Sequence, residues 1–205
     1  MDKLSLWNEV SKTNPADTKT VNQRGGFTAI DAYSQIKAAT KTFGPVGRGW
    51  GWTVESALAD TPAAGCYTVM IKFWYIDADL DVRCAFNTFG AAKSERDPDE
   101  CAKKALTDAI TKALSYLGFN ADVFTGKFDD SKYVEKRRQE VKGEDKEAAM
   151  RKWVEGFLAE TKSFTPEERI ALMDKHEKAI ERLTKDYRDL LITGINTQNQ
   201  MGAKQ

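Results

Sequence analysis

Between Cys101 and Leu117 apolar residues recur at three- and four-residue steps: Cys101, Ala102, Ala105, Leu106, Ala109, Ile110, Ala113, Leu114 and Leu117. That period predicts a helix with one wide apolar stripe. Ahead of it, Asp97 supplies a cap, Pro98 suits the first helical position, and Asp99 and Glu100 face the positive end of the dipole, so the helix is expected to open at Asp97. Gly118 is placed to end it. The opposite side carries Lys103, Lys104, Thr107, Asp108, Thr111, Lys112 and Ser115, with Lys104, Asp108 and Lys112 in register one turn apart.

Upstream, the apolar period switches from helical to alternating. Leu6, Trp7 and Val10 predict a short helix over Leu4 to Val10, and Asn14-Pro15-Ala16-Asp17 breaks it. Asp31 can cap a helix reaching about Thr42, with Tyr33, Ile36, Ala39 and Phe43 near one face, before the glycine-rich turn Gly44 to Gly49. Three runs of β-type residues follow, over Trp50–Ala59, Cys66–Ile76 and Leu80–Phe89, joined by the short connections Asp60–Gly65 and Asp77–Asp79. Short connections favour an antiparallel meander. In the second run Tyr67, Val69, Ile71, Phe73 and Tyr75 alternate with Thr68, Met70, Lys72, Trp74 and Ile76, so one face is expected to pack on the helix from Lys103 to Gly118.

After about Tyr133 the pattern changes again. Glu135 to Lys146 is dense in both charges and reads as a solvated linker or helix, followed by an apolar stripe at Ala148, Ala149, Trp153, Phe157 and Leu158. Thr165-Pro166-Glu167-Glu168 reads as a capping box that opens a helix running to about Leu191. The fold expected is α+β: an antiparallel β-meander packed on a central helix over residues 1–134, a helical C-terminal region over 135–195, and a disordered tail over 196–205.

Composition narrows the class. Of 205 residues, 41% are hydrophobic and 30% charged, which is ordinary for a globular protein. No segment has the length and apolarity of a membrane span, and the start lacks the pattern of an export signal. Cys66, Cys84 and Cys101 come singly from separate elements, so free thiols in a reducing compartment, the cytoplasm, are expected. Formal net charge is zero, and residues 97–130 carry 4 basic and 7 acidic side chains. A site for a polyanion must therefore be assembled in three dimensions from scattered cations.

Catalytic chemistry finds few residues to use. His176, the only histidine, lies among Asp174, Lys175 and Glu177, where a surface role is the simpler reading. Asp129 and Asp130 suit a magnesium ion in a nuclease, but adjacent carboxylates in a loop more often cap or hydrate that loop. A phosphate-cradling loop fails around Gly126-Lys127, because Ala121 stands where its first glycine belongs and Phe128 follows the lysine. No catalytic residue, metal site or cofactor is expected. What the chain does offer is cations beside flat apolar side chains: Arg48 near Trp50 and Trp52, Lys72 near Trp74, Arg83, and Lys103, Lys104 and Lys112 on the central helix. For the three tryptophans a packed core competes with base stacking.

The stretch Lys103 to Gly118, with its Thr107-Asp108 step, Lys112-Ala113-Leu114 and terminal Leu117-Gly118, resembles the central helix of single-strand DNA annealing proteins in the Rad-fifty-two-like superfamily. The following Gly118-Phe119-Asn120-Ala121-Asp122 to Phe128-Asp129-Asp130 loop and Tyr133 resemble its phage and prophage branch, and the likeness covers roughly residues 20–135. Where some relatives have two adjacent basic residues, this chain has Thr111 before Lys112, so only Lys112 inherits a phosphate contact. The resemblance implies ATP-independent annealing of complementary strands in phage-type recombination, contacts mainly to phosphates with bases facing outward, and assembly into rings or helical filaments. It also implies single-stranded DNA and annealed duplex as ligands, with a phage exonuclease or a host single-strand-binding protein as further partners. The alternatives are a non-catalytic partner-recruiting protein and a metal-dependent nuclease using Asp129 and Asp130.

Overall fold

The computed structural model describes residues 3–22, 26–59, 66–93 and 100–202. They fall into two compact units, Met1–Arg138 and Gln139–Gln205. The expected cap at Asp97, Pro98 and Asp99 and the connection Asp60–Gly65 lie outside the described residues.

The first unit is built on a three-stranded antiparallel sheet of order β3-β4-β5, with β3 at Trp50–Ala59, β4 at Cys66–Asp77 and β5 at Val82–Lys93. This is the expected meander, with its third strand shifted toward the C-terminus. Asp77 accepts from the backbone amides of Asp79 and Leu80, and Asp81 takes a left-handed φ of 50°, so the turn extends to Asp81. Alternation along β4 sorts its side chains: Val69, Ile71 and Phe73 are buried, whereas Met70 and Lys72 are exposed.

The inner face is covered by α2 (Ala32–Phe43) and α3 (Cys101–Tyr116). Asp31 caps α2 as its sequence predicts, accepting from Ser34 N at 3.0 Å. Helix α3 buries Ala105, Ala109, Ile110, Ala113 and Leu114 against Trp50, Ile71 and Phe73. A Cβ at Gly90 of β5 would overlap the Ala109 amide nitrogen and the Ala105 carbonyl oxygen, so α3 meets the strand backbone to backbone. Only small residues permit that approach. Helix α3 ends in a Schellman motif: Gly118 has φ 97°, its amide donates to Ser115 O, and the Phe119 amide donates to Leu114 O.

The loop after α3 is a structural clamp. Asn120 opens the short helix α4 (Ala121–Phe124) from a left-handed φ of 58°. Asp122, 4% exposed, accepts from Thr13 N at 2.9 Å, Tyr133 Oη at 2.8 Å and Val123 N at 2.9 Å, and from the Thr13 hydroxyl. One carboxylate thus fastens the N-terminal segment to the loop and to the first turn of α5 (Ser131–Glu160).

One hairpin was not expected from the pattern. A two-stranded antiparallel hairpin, β1 (Thr18–Val21) with β2 (Phe27–Ile30), pairs Thr18 with Ile30 and Val21 with Phe27 and follows α1 (Ser5–Val10). The boundary expected after residue 134 falls inside α5, and the division between the units lies four residues later.

In the second unit the capping box is formed: Glu168 N donates to Thr165 Oγ1 at 3.3 Å and Thr165 N to Glu168 Oε2 at 2.8 Å. The helix it opens is broken, however, into α6 (Pro166–Lys175), α7 (Glu177–Glu181) and α8 (Lys185–Gly202). His176 sits at the first break, with its ring edge-on to Trp153 and Phe157 at 6.0 Å each. The breaks bring Leu183, Leu191 and Ile195 onto Val154 and Phe157. Residues 196–202, expected to be disordered, continue α8 because their polar side chains are anchored: Gln198 Nε2 donates to Leu158 O at 2.7 Å and Arg169 Nη1 to Asn199 Oδ1 at 2.7 Å. Among the described residues no helix is long and apolar enough to cross a membrane.

Candidate functional site

Helix α3 presents its polar side to the β1–β2 hairpin, and a groove of about 750 Å³ opens between them. Lys103, Lys104, Thr107 and Thr111 form its α3 wall, Lys19 and Phe27 come from the hairpin, and Phe124, Gly126 and Asp129 come from the α4 loop. The helical period produces this arrangement: with Ala105, Ala109 and Ala113 held on the sheet, residues 103, 104, 107 and 111 must face away from it.

The groove is close to neutral among the described residues that line it, with Lys19, Lys103 and Lys104 against Glu100, Asp108 and Asp129. Glu100 pairs with Lys103 at 2.7 Å, which lowers the acid's pKa and raises the amine's, first through the hydrogen bond and then through the charges. This exposed pair is weak. Asp108 accepts from the Ala91 backbone amide at 3.1 Å, so its carboxylate is tied to the outer edge of β5. The hydroxyls of Thr107 and Thr111 donate to Lys103 O and Asp108 O and retain lone pairs for a ligand donor.

The candidate residues separate into different surfaces. Lys103 and Lys104 line the groove. Lys112 is absent from its lining and instead sets its ammonium 5.4 Å from the centre of the Phe89 ring at the sheet edge. Thr111, which inherits no charge, does line the groove. Lys72, Trp74 and Arg83 share the outer sheet face, where Trp74 lies opposite Ala85 and Ile76 opposite Arg83, and the Arg83 guanidinium lies 4.0 Å from the Trp74 ring centre. Arg48 is exposed in the turn before β3. Trp50 and Trp52 point the other way. Trp50 is fully enclosed between Trp52 and Phe73, at 6.0 and 5.8 Å, which corrects its base-stacking assignment: no ring face is left for a base. Trp52 is partly buried against the same core.

The carboxylate pair also divides. Asp130 Oδ1 accepts from Lys132 N at 2.9 Å and its carbonyl accepts from Val134 N, so it caps α5, whereas Asp129 stands in the groove wall. Sequence reasoning missed Lys19, Phe27 and Phe124. A Gly-Gly pair at 25–26 between two short runs containing Thr, Val, Phe and Ile was the available hairpin signal. In sequence comparisons no family model matches the chain, and no curated protein matches it.

Proposed function

We propose that the chain binds single-stranded DNA in the groove between α3 and the β1–β2 hairpin and anneals complementary strands without ATP. The observation that carries this reading is the position of Lys103, Lys104, Thr107 and Thr111 along one groove wall, on the helix whose sequence resembles that of annealing proteins. Lysines spaced along an open trough suit a phosphate backbone, and such contacts read no sequence.

With three lysines set against three carboxylates, one subunit gives a weak site. Assembly of many copies into a ring or filament adds such sites along one strand, and the effective concentration of each next site replaces individual affinity. Annealing is the task such a device performs, because it needs binding and alignment and no chemical step. The second unit, with its own core around Val154, Phe157 and Leu191, is the natural place for contact with an exonuclease or a single-strand-binding protein.

Complementary labelled strands mixed with the protein in EDTA and without nucleotide should lose fluorescence faster than strands alone. A requirement for ATP would overturn the reading. Strand cutting that appears with magnesium would favour the nuclease built on Asp129.

A further inference from the structure

We infer that Phe27 and Phe124 form an aromatic clamp that takes a nucleobase of the bound strand, so that the groove holds DNA by stacking as well as by its phosphates. The two phenyl groups are 48% and 54% exposed, and both line the groove, one from β2 and one from α4. Large apolar rings left this open inside a lysine-bearing trough match a ligand that is anionic along its backbone and flat and apolar at its bases.

The charge count leaves room for such a contribution beside that of assembly. Lys19, Lys103 and Lys104 are offset by Glu100, Asp108 and Asp129, so counterion release from phosphate contacts alone gives each subunit little affinity. Stacking on an aromatic ring is independent of that balance and tolerates any base, so it fits a protein that must accept every sequence. The clamp also opposes the arrangement implied by the family resemblance, in which all bases face outward: at least one base per subunit turns in. It rests on the single-strand reading of the groove and adds a contact to it.

The test compares an oligothymidylate with a strand of equal length lacking its bases, each titrated by anisotropy against the full-length protein and its Phe27→Leu, Phe124→Leu and Lys104→Ala variants. Leucine keeps an apolar side chain at exposed positions, and circular dichroism checks that each variant is folded. The clamp predicts that the base-free strand binds the unmodified protein about tenfold more weakly, and that each leucine variant loses about tenfold for the oligothymidylate alone. It also predicts an unchanged salt slope for the leucine variants. Equal binding of both strands, with both weakened by Lys104→Ala, would overturn the clamp and leave the single-strand groove standing. Leucine variants that bind oligothymidylate as tightly as the unmodified protein would likewise overturn it. Failure of both strands to bind at low salt would remove the reading of the groove and the clamp together.

Discussion

Asp108 accepts a hydrogen bond from the backbone amide of Ala91 at 3.1 Å, joining the polar side of α3 to the outward edge of β5. The same carboxylate lines the groove, so one residue supports the fold and sets the local charge. Replacing it with Ala should cost about 1 kcal/mol in urea unfolding, the scale of an exposed charge-assisted bond. Asp108→Asn keeps an acceptor and should recover most of that stability while tightening single-strand binding, because a negative charge has left the groove. An Asn variant as unstable as the Ala variant would show that charge, and not the bond, holds the edge.

The two candidate DNA faces can be told apart by salt. Lys104→Ala should weaken single-strand binding and reduce the slope of log K against log salt by about 0.7, as expected for one lost phosphate contact on a single strand. Arg83→Ala, on the outer sheet face, should leave that slope unchanged. The opposite result would move the DNA path to the sheet.

Much of the first unit was legible because its elements carry strong local signals. The stripe of α3, the glycine that ends it, the alternation in β4 and the Asp31 cap are all short-range chemistry, and each appears where its residues require. The groove was not legible. One of its walls is a hairpin of two four-residue strands, Thr18–Val21 and Phe27–Ile30, too short for periodicity to register. Lys112 carries the phosphate contact that the resemblance implies, yet its ammonium lies over the Phe89 ring at the sheet edge and outside the groove lining. The polar run after Asn196 read as disorder because nothing local shows that Gln198 and Asn199 have internal partners.

Asp122 should be the least replaceable polar residue in the first unit. Asp122→Ala would remove the acceptor of the Thr13 amide and hydroxyl in a buried site and the Tyr133 hydroxyl's bond to it, while the Val123 amide keeps the Asn120 carbonyl. A loss of about 3 kcal/mol is expected, with the N-terminal segment released first and visible as faster amide exchange at Thr13. Unchanged exchange there would mean that the segment is held by other contacts.

Alkaline pH should destabilise the first unit through Tyr75. Burial foremost, then the Cys84 thiol opposite it and the Asp77 carboxylate, hold the Tyr75 hydroxyl above the ordinary phenol range. The folded chain therefore keeps a proton that the unfolded chain loses near pH 10, so this stabilisation is complete below about pH 10 and is lost as pH rises through the folded value. Urea midpoints of the unmodified protein should fall more steeply above about pH 10 than those of Tyr75→Phe. Parallel curves would assign the alkaline loss to other groups.

The backbone contact of Gly90 with Ala105 and Ala109 has a consequence for how this sequence can diverge. A hydrophobicity profile ranks those three positions below Ile110 or Leu114, since each contributes little apolar area. Yet a leucine can be exchanged for isoleucine or methionine with repacking, whereas a methyl group added at Gly90 has nowhere to go. Drift in this chain should therefore be most constrained at its smallest buried residues. Lineages could exchange much of the surrounding core and both groove walls while this inconspicuous seam stayed fixed, keeping the helix and the sheet edge in register.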